Sequence, residues 1–298
     1  MKQRKTMRQI CVIASLGILS LPLVAKPKLK ETWSLKKGFS TPESTYYDAD
    51  SKTVFVSNVD GAPNEKDGKG YISQLSPEGK VLKARWADKL DAPKGMRTFN
   101  NELVVSDLNT VKVFNKKDAK LKRVIQVANA KFLNDIAIAK DGTIYVSDMF
   151  TDTIHMIAPN SSKATVFVNG PELESPNGLL VVGDQLIVAA WGEGINPADF
   201  GTKKKGSLYS LDLKTKKKKV INPNFGALDG LELVDEKAGK YLVSDWKVGK
   251  VFLVDNKTTQ ELVGGLKSSA DIGYIPGSKT LLVPEMTGNT VRAFKLSL

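Results

Sequence analysis

Short apolar runs alternate with turn residues along almost the whole chain, and past the first 25 residues no stretch keeps the 3.6-residue spacing of an amphipathic helix for more than a turn or two. The pattern is plainest from Asn134 to Asp148, NDIAIAKDGTIYVSD. There the apolar run Ile136 to Ala139 meets a Lys140-Asp141-Gly142 turn, and Thr143 to Val146 then alternate into Ser147-Asp148. Asp-Gly tolerates the positive φ of a tight turn, and β-branched and aromatic residues suit a pleated surface, so the stretch predicts a β-hairpin. Five further copies open on Glu43, Lys94, Asn177, Asp229 and Asp271. The spacing of these openings, about 40 to 52 residues with some four short strands in each interval, is that of propeller blades. The two longest intervals hold insertions, Val59 to Gly70 and Gly192 to Gly206. A β-sandwich would share the turn signals but not the repeat, so an all-β, six-bladed β-propeller is expected. The sixth repeat lacks a fourth strand, whereas Leu29 to Leu35 is a strand to spare. That N-terminal segment is therefore expected to be the outer strand of the C-terminal blade, closing the ring and hiding its open edges.

The first 25 residues stand outside this pattern. Lys2, Arg4, Lys5 and Arg8 precede an almost wholly apolar run from Ile10 to Val24, the layout of a signal peptide cut near Ala25. The expected layout is thus a leader over 1–25 and a single propeller domain over 26–298, with the mature protein periplasmic or secreted. The apolar run falls short of the roughly 20 residues that span a bilayer and is interrupted by Pro22, so no stable membrane anchor is expected after cleavage. Cys11, the one cysteine, leaves with the leader, which excludes a disulfide or a thiol nucleophile in the mature chain. Cleavage also removes four positive charges and lowers the net charge from +12 to +8. The densest basic runs, Lys203 to Lys205 and Lys216 to Lys219, fall in turns without interleaved aromatics and read as a solvated face. No nucleic-acid partner is expected.

In a propeller the first residues of the innermost strands gather at one mouth of the central channel. The loops after the second strands, both insertions included, lie over the same mouth. Glu43, Asn134, Asn177, Asp229 and Asp271 would meet there as hard oxygen donors. Carboxylates held close repel unless a cation or protons intervene, and Ca²⁺, or another divalent cation, suits such a set. Zinc does not, with one histidine and no cysteine in the mature chain. The plainer alternative is that these Asn and Asp side chains cap the strand starts. Lys94 projects from the second blade to hold an acidic substrate or to neutralise Asp271 or Glu43. His155 lies on a third strand, away from the axis, and is expected to be packed there. The Ser-Asp pairs at 106–107, 147–148 and 244–245 end second strands and read as turn caps.

The order of these residues resembles the calcium-dependent gluconolactonase and regucalcin propellers, also called senescence marker proteins, over most of the mature chain. The resemblance implies metal ligands at Glu43 (in PES), Asn177 (in SPNGL) and Asp229 (in LDGL), with Asn134 (in LNDI) touching substrate. It implies a hydrolase for a small-molecule lactone or related ester, in which Ca²⁺ polarises the carbonyl and Asp229 is the candidate general base. Relatives that act on sugar lactones carry arginine two residues before the Asn-Asp motif. Here that substrate-facing position is Phe132. The lone histidine separates the chain from paraoxonase-type propellers, which use a pair. A non-catalytic propeller binding a protein or glycan at the same mouth is the alternative.

Overall fold

The computed structural model describes residues 27–255 and 258–298; the leader expected over 1–25 lies outside the described residues. Six antiparallel sheets follow one another along the chain, each opening on one of the six polar residues. Blade 1 comprises Pro42–Asp48, Thr53–Asn58, Gly70–Leu75 and Val81–Leu90, and blade 2 Pro93–Phe99, Glu102–Asp107, Thr110–Asn115 and Leu121–Gln126. Blade 3 comprises Leu133–Ile138, Ile144–Asp148, Thr153–Ile157 and Ala164–Asn169. In blade 4, formed by Pro176–Val182, Gln185–Ala190, Lys204–Asp212 and Lys218–Gly226, the short strand Gly192–Glu193 pairs with the start of the third strand. Blade 5 comprises Leu228–Asp235, Lys240–Asp245, Lys250–Val254 and Thr259–Val263.

Blade 6 draws three strands, Gly273–Ile275, Thr280–Glu285 and Thr290–Ser297, from the C-terminal end. Its fourth is Lys28–Leu35, as the spare strand predicts. This strand runs antiparallel to the last one, from Lys28 opposite Ser297 to Leu35 opposite Val291. The clasp is fastened by side chains as well. Arg292 pairs with both Glu31 and Glu285, and the Trp33 indole donates to the Pro77 carbonyl of blade 1 at 3.1 Å.

The period of two that marks a strand also distributes the core. In blade 3, Ile136, Ile144, Val146 and Ile157 pack toward blade 2, while Ala137, Tyr145, Ile154 and Phe167 pack toward blade 4. Both faces of the blade are buried, which is why its strands read as nearly continuous apolar runs. Six such seams run round the ring, and each blade is held by its two neighbours. A seventh apolar cluster, including Phe132, Met149 and Trp191, belongs to no seam. It lies over the mouth.

The Ser-Asp pairs do more than cap turns. The aspartates do cap: Asp107 accepts the Asp91 and Ala92 amides, and Asp148 those of Lys131 and Phe132. The serines reach the next blade instead. Ser147 donates to the Asn177 carbonyl at 2.7 Å, Ser244 to that of Ala270 at 2.8 Å, and Ser106 to that of Asn134. Two of these bonds fasten the residue that opens an inner strand to the blade before it, and the third fastens the residue just before the opening Asp271.

Candidate functional site

Five of the six openings share a local device that aims them. Pairing between first and second strands breaks register at Pro42–Ser44, Pro93–Met96, Leu133–Ile136, Pro176–Gly178 and Leu228–Leu231. Each break spans the opening residue. An extra residue in one strand turns its side chain out of the alternation, here onto the axis. Glycine follows Asn177 and Asp229 because neighbouring inner strands almost touch: a Cβ on Gly178 would lie 2.0 Å from the Asp229 carbonyl oxygen, and one on Gly230 2.2 Å from the Ile272 nitrogen.

The three residues marked as metal ligands, Glu43, Asn177 and Asp229, are 3 %, 1 % and 5 % exposed. Each leaves one oxygen without a hydrogen-bond partner: Glu43 Oε2, Asn177 Oδ1 and Asp229 Oδ1. Buried acceptors are ordinarily satisfied, so three unpartnered oxygens from three blades are a candidate ligand set. Asp271 leaves Oδ1 in the same state, but its Oδ2 accepts from Ser44 Oγ at 2.5 Å and its amide donates to the Glu43 carbonyl. Burial, then the charges of Asp229 and Asp271, push Glu43 well above the usual carboxylate range. Burial and Asp135 do the same to Asp229, and to Asp271 as well. Carboxylates this crowded favour a cation or protons among them. Oxygen donors of this kind fit Ca²⁺. Among the described residues, however, no three His, Cys, Asp or Glu side chains form a metal cluster, so the amide of Asn177 is needed to complete such a set.

Lys94 is 1 % exposed and donates to the carbonyls of Pro63 and Ala92 at 3.1 and 3.0 Å. Its ammonium lies 4.3 Å from the centre of the Phe132 ring. Burial lowers its pKa to about 8, with Glu43 acting in the opposite sense. Of the roles open to it, the neighbour it senses most is Glu43. Asn134 turns its amide nitrogen toward Met149 Sδ, 2.8 Å away. These groups line a cavity of about 160 Å³, bounded below by Glu43, Asp229, Asn134 and Lys94. Both insertions reach over it, through Pro63 and Phe200. His155 is buried on its third strand, 4.0 Å from Asp148, and takes no part.

Two features of the site lie beyond the sequence reading. One is Arg97, deeper in the channel, whose guanidinium lies 3.7 Å from Asp135, 3.8 Å from Glu232 and 4.0 Å from Asp271. Although burial opposes it, the charges of Asp135, Glu232 and Asp271 hold Arg97 above its ordinary pKa. Glu232, 16 % exposed, is pushed up to about 7 by burial against the pull of Arg97. Asp135 also knits blades 3 and 4, accepting the Leu179 amide at 2.7 Å. The other feature is the cavity's apolar wall. The residue just after the second strand is Val59, Leu108, Met149, Trp191, Trp246 and Met286 in the six blades, and the last four of these face the cavity. The signal was an apolar column aligned with the polar one.

No protein-family model matches the chain, and no curated protein matches it in sequence. Solved structures do match in shape. A streptogramin B lyase aligns over 91 % of this chain and 98 % of its own, at 11 % identity and a TM-score of 0.62. A gluconolactonase from Xanthomonas campestris aligns over 90 % and 87 %, at 15 % identity and a TM-score of 0.63. An auxiliary nutrient binding protein from Bacteroides ovatus aligns over 87 % and 70 %, at 12 % identity and a TM-score of 0.64. At such identities the likeness is one of fold. The ring occurs in enzymes and in a binding protein alike, and the site residues have to decide between them.

Proposed function

We propose that the chain is an exported hydrolase of the gluconolactonase–regucalcin type that opens a small lactone or related ester. Glu43, Asn177 and Asp229 would hold the divalent cation, with Ca²⁺ first among candidates. When bound, that cation supplies Lewis-acid polarisation of a carbonyl. The observation that carries the reading is the set of orphaned oxygens on these three residues, of which Glu43 and Asp229 line the base of the cavity.

The chain's own groups account for the proton. Asp229 has a raised proton affinity in the metal-free fold, from burial and then the charge of Asp135. It would take a proton from a water as that water adds to the ester carbon, and return it to the ring oxygen when the C–O bond breaks. The apolar cap of Phe132, Trp191 and Phe200 keeps other water out. Lys94, fixed by two carbonyls, holds a positive charge toward Glu43.

One observation favours a second reading, of a binding propeller without catalysis. Phe132 stands where the resembling sugar lactonases carry arginine, and its ring covers Lys94 rather than offering a polar contact. Two measurements separate the readings. Ca²⁺ in about hundredfold excess over its Kd should raise the melting temperature by about 5 to 10 °C, and Asp229→Ala should abolish the shift. No response in the unaltered protein refutes the metal site. A lactone panel with and without chelator then tests chemistry: chelator-sensitive turnover supports the hydrolase, and silence across the panel favours the binder.

A further inference from the structure

The floor and the wall of the cavity differ in chemistry, and the wall leaves a ligand almost nothing polar to hold. Phe132 stacks on Phe150 at 4.5 Å and meets Phe200 edge-on at 5.6 Å. Trp191 continues the wall, 6.1 Å from Phe200 and 5.7 Å from Trp246. Several polar atoms among these groups are already committed. The Trp191 indole donates to the Phe200 carbonyl at 2.9 Å, the Asn134 amide faces Met149 sulfur, and Lys94 spends two of its protons on backbone carbonyls. What remains open is the row of acceptor oxygens below, on Glu43 and Asp229.

A polyhydroxylated ligand needs a partner for each hydroxyl it buries. Against this wall its hydroxyls would face rings and thioethers. A ligand with one carbonyl-bearing head and an apolar body suits the cavity throughout: the head lies over the cation that the hydrolase reading places on the carboxylates, and the body lies among the rings, where aromatic side chains contribute large contact areas. We infer that the site takes lactones or esters carrying an aryl ring or a short alkyl chain, and discriminates against sugar lactones. The inference rests on the hydrolase reading only for the chemistry of the head; the choice of body follows from the wall.

The test uses the full chain with Ca²⁺ present and two probes of equal ring size, δ-decalactone and glucono-δ-lactone. Binding is read from the emission of Trp191 and Trp246, and turnover is read separately by acid release. Tighter binding and a kcat/KM at least about 100-fold higher for the alkyl lactone are expected. Phe200→Ser, which places a hydroxyl in the wall, should lower that preference about tenfold or more, and Phe200→Leu should retain it. The second variant guards against a loop that simply misfolds. Equal or better turnover of the sugar lactone overturns this inference and leaves the hydrolase reading standing. Binding of the alkyl lactone without turnover of either probe upholds the ligand class and overturns the hydrolase. Failure of both probes to perturb tryptophan emission or to be turned over overturns the inference.

Discussion

Asp229 combines a cost and a use in one side chain. It is buried, the charges of Asp135 and Asp245 raise its proton affinity further, and the neighbouring Asn177 acts in the opposite sense. A buried carboxylate so placed destabilises the metal-free fold. Asp229→Asn is therefore expected to raise the melting temperature in chelator by a few degrees while removing the response to Ca²⁺; a lower melting temperature in chelator would show the charge to be compensated. Gly178 lies one residue past Asn177 and works in the opposite direction. Its hydrogen faces the Asp229 carbonyl where a methyl has no room, so Gly178→Ala should cost at least about 2 kcal/mol by overpacking. Urea unfolding measures it. The two substitutions together separate a residue kept for chemistry from one kept for geometry.

Within five of the six inner strands, the break in register explains both what was legible and what was not. The six polar openings and their spacing are visible in the sequence, as are the hairpin turn and the strand that closes the ring. Arg97 and Glu232 are not, because each stands three residues after an opening, and strict alternation assigns them to a seam between blades. The extra residue at the opening shifts the alternation by one and returns both to the axis. The aromatic wall escapes for a different reason. Phe132 precedes an inner strand, Trp191 follows a second strand and Phe200 lies in an insertion, so only the closed ring brings them together. At this scale the serine links can be tested. Ser147→Ala leaves the Asn177 carbonyl without its donor and should cost about 1 to 3 kcal/mol. It should also weaken Ca²⁺ binding, since Asn177 loses its tie to blade 3. An unchanged Kd would separate the link from the site.

At the scale of the whole molecule, one column of charged side chains is buried along the axis of the ring. Glu232 ordinarily ionises near pH 4.5 and does so near 7 in the fold. Between those values the folded state holds a proton that the unfolded state has lost, so stability falls as pH rises through the interval. The metal-free protein should lose melting temperature from about pH 4.5 to 7, and Glu232→Gln should flatten that slope; a slope unchanged by the substitution would place its cause elsewhere in the column. The clasp between Lys28–Leu35 and Thr290–Ser297 has a kinetic consequence. These strands are joined across some 260 residues of chain, as the Thr32 hydroxyl bonded to the Ala293 carbonyl illustrates. Pairings this distant in sequence are slow to find and come late in folding. Five blades can assemble from neighbouring segments while the sixth waits for both ends, so weakening the clasp should accelerate unfolding far more than it slows refolding. The lifetime of the native ring is thus governed by one strand that lies outside the candidate site altogether.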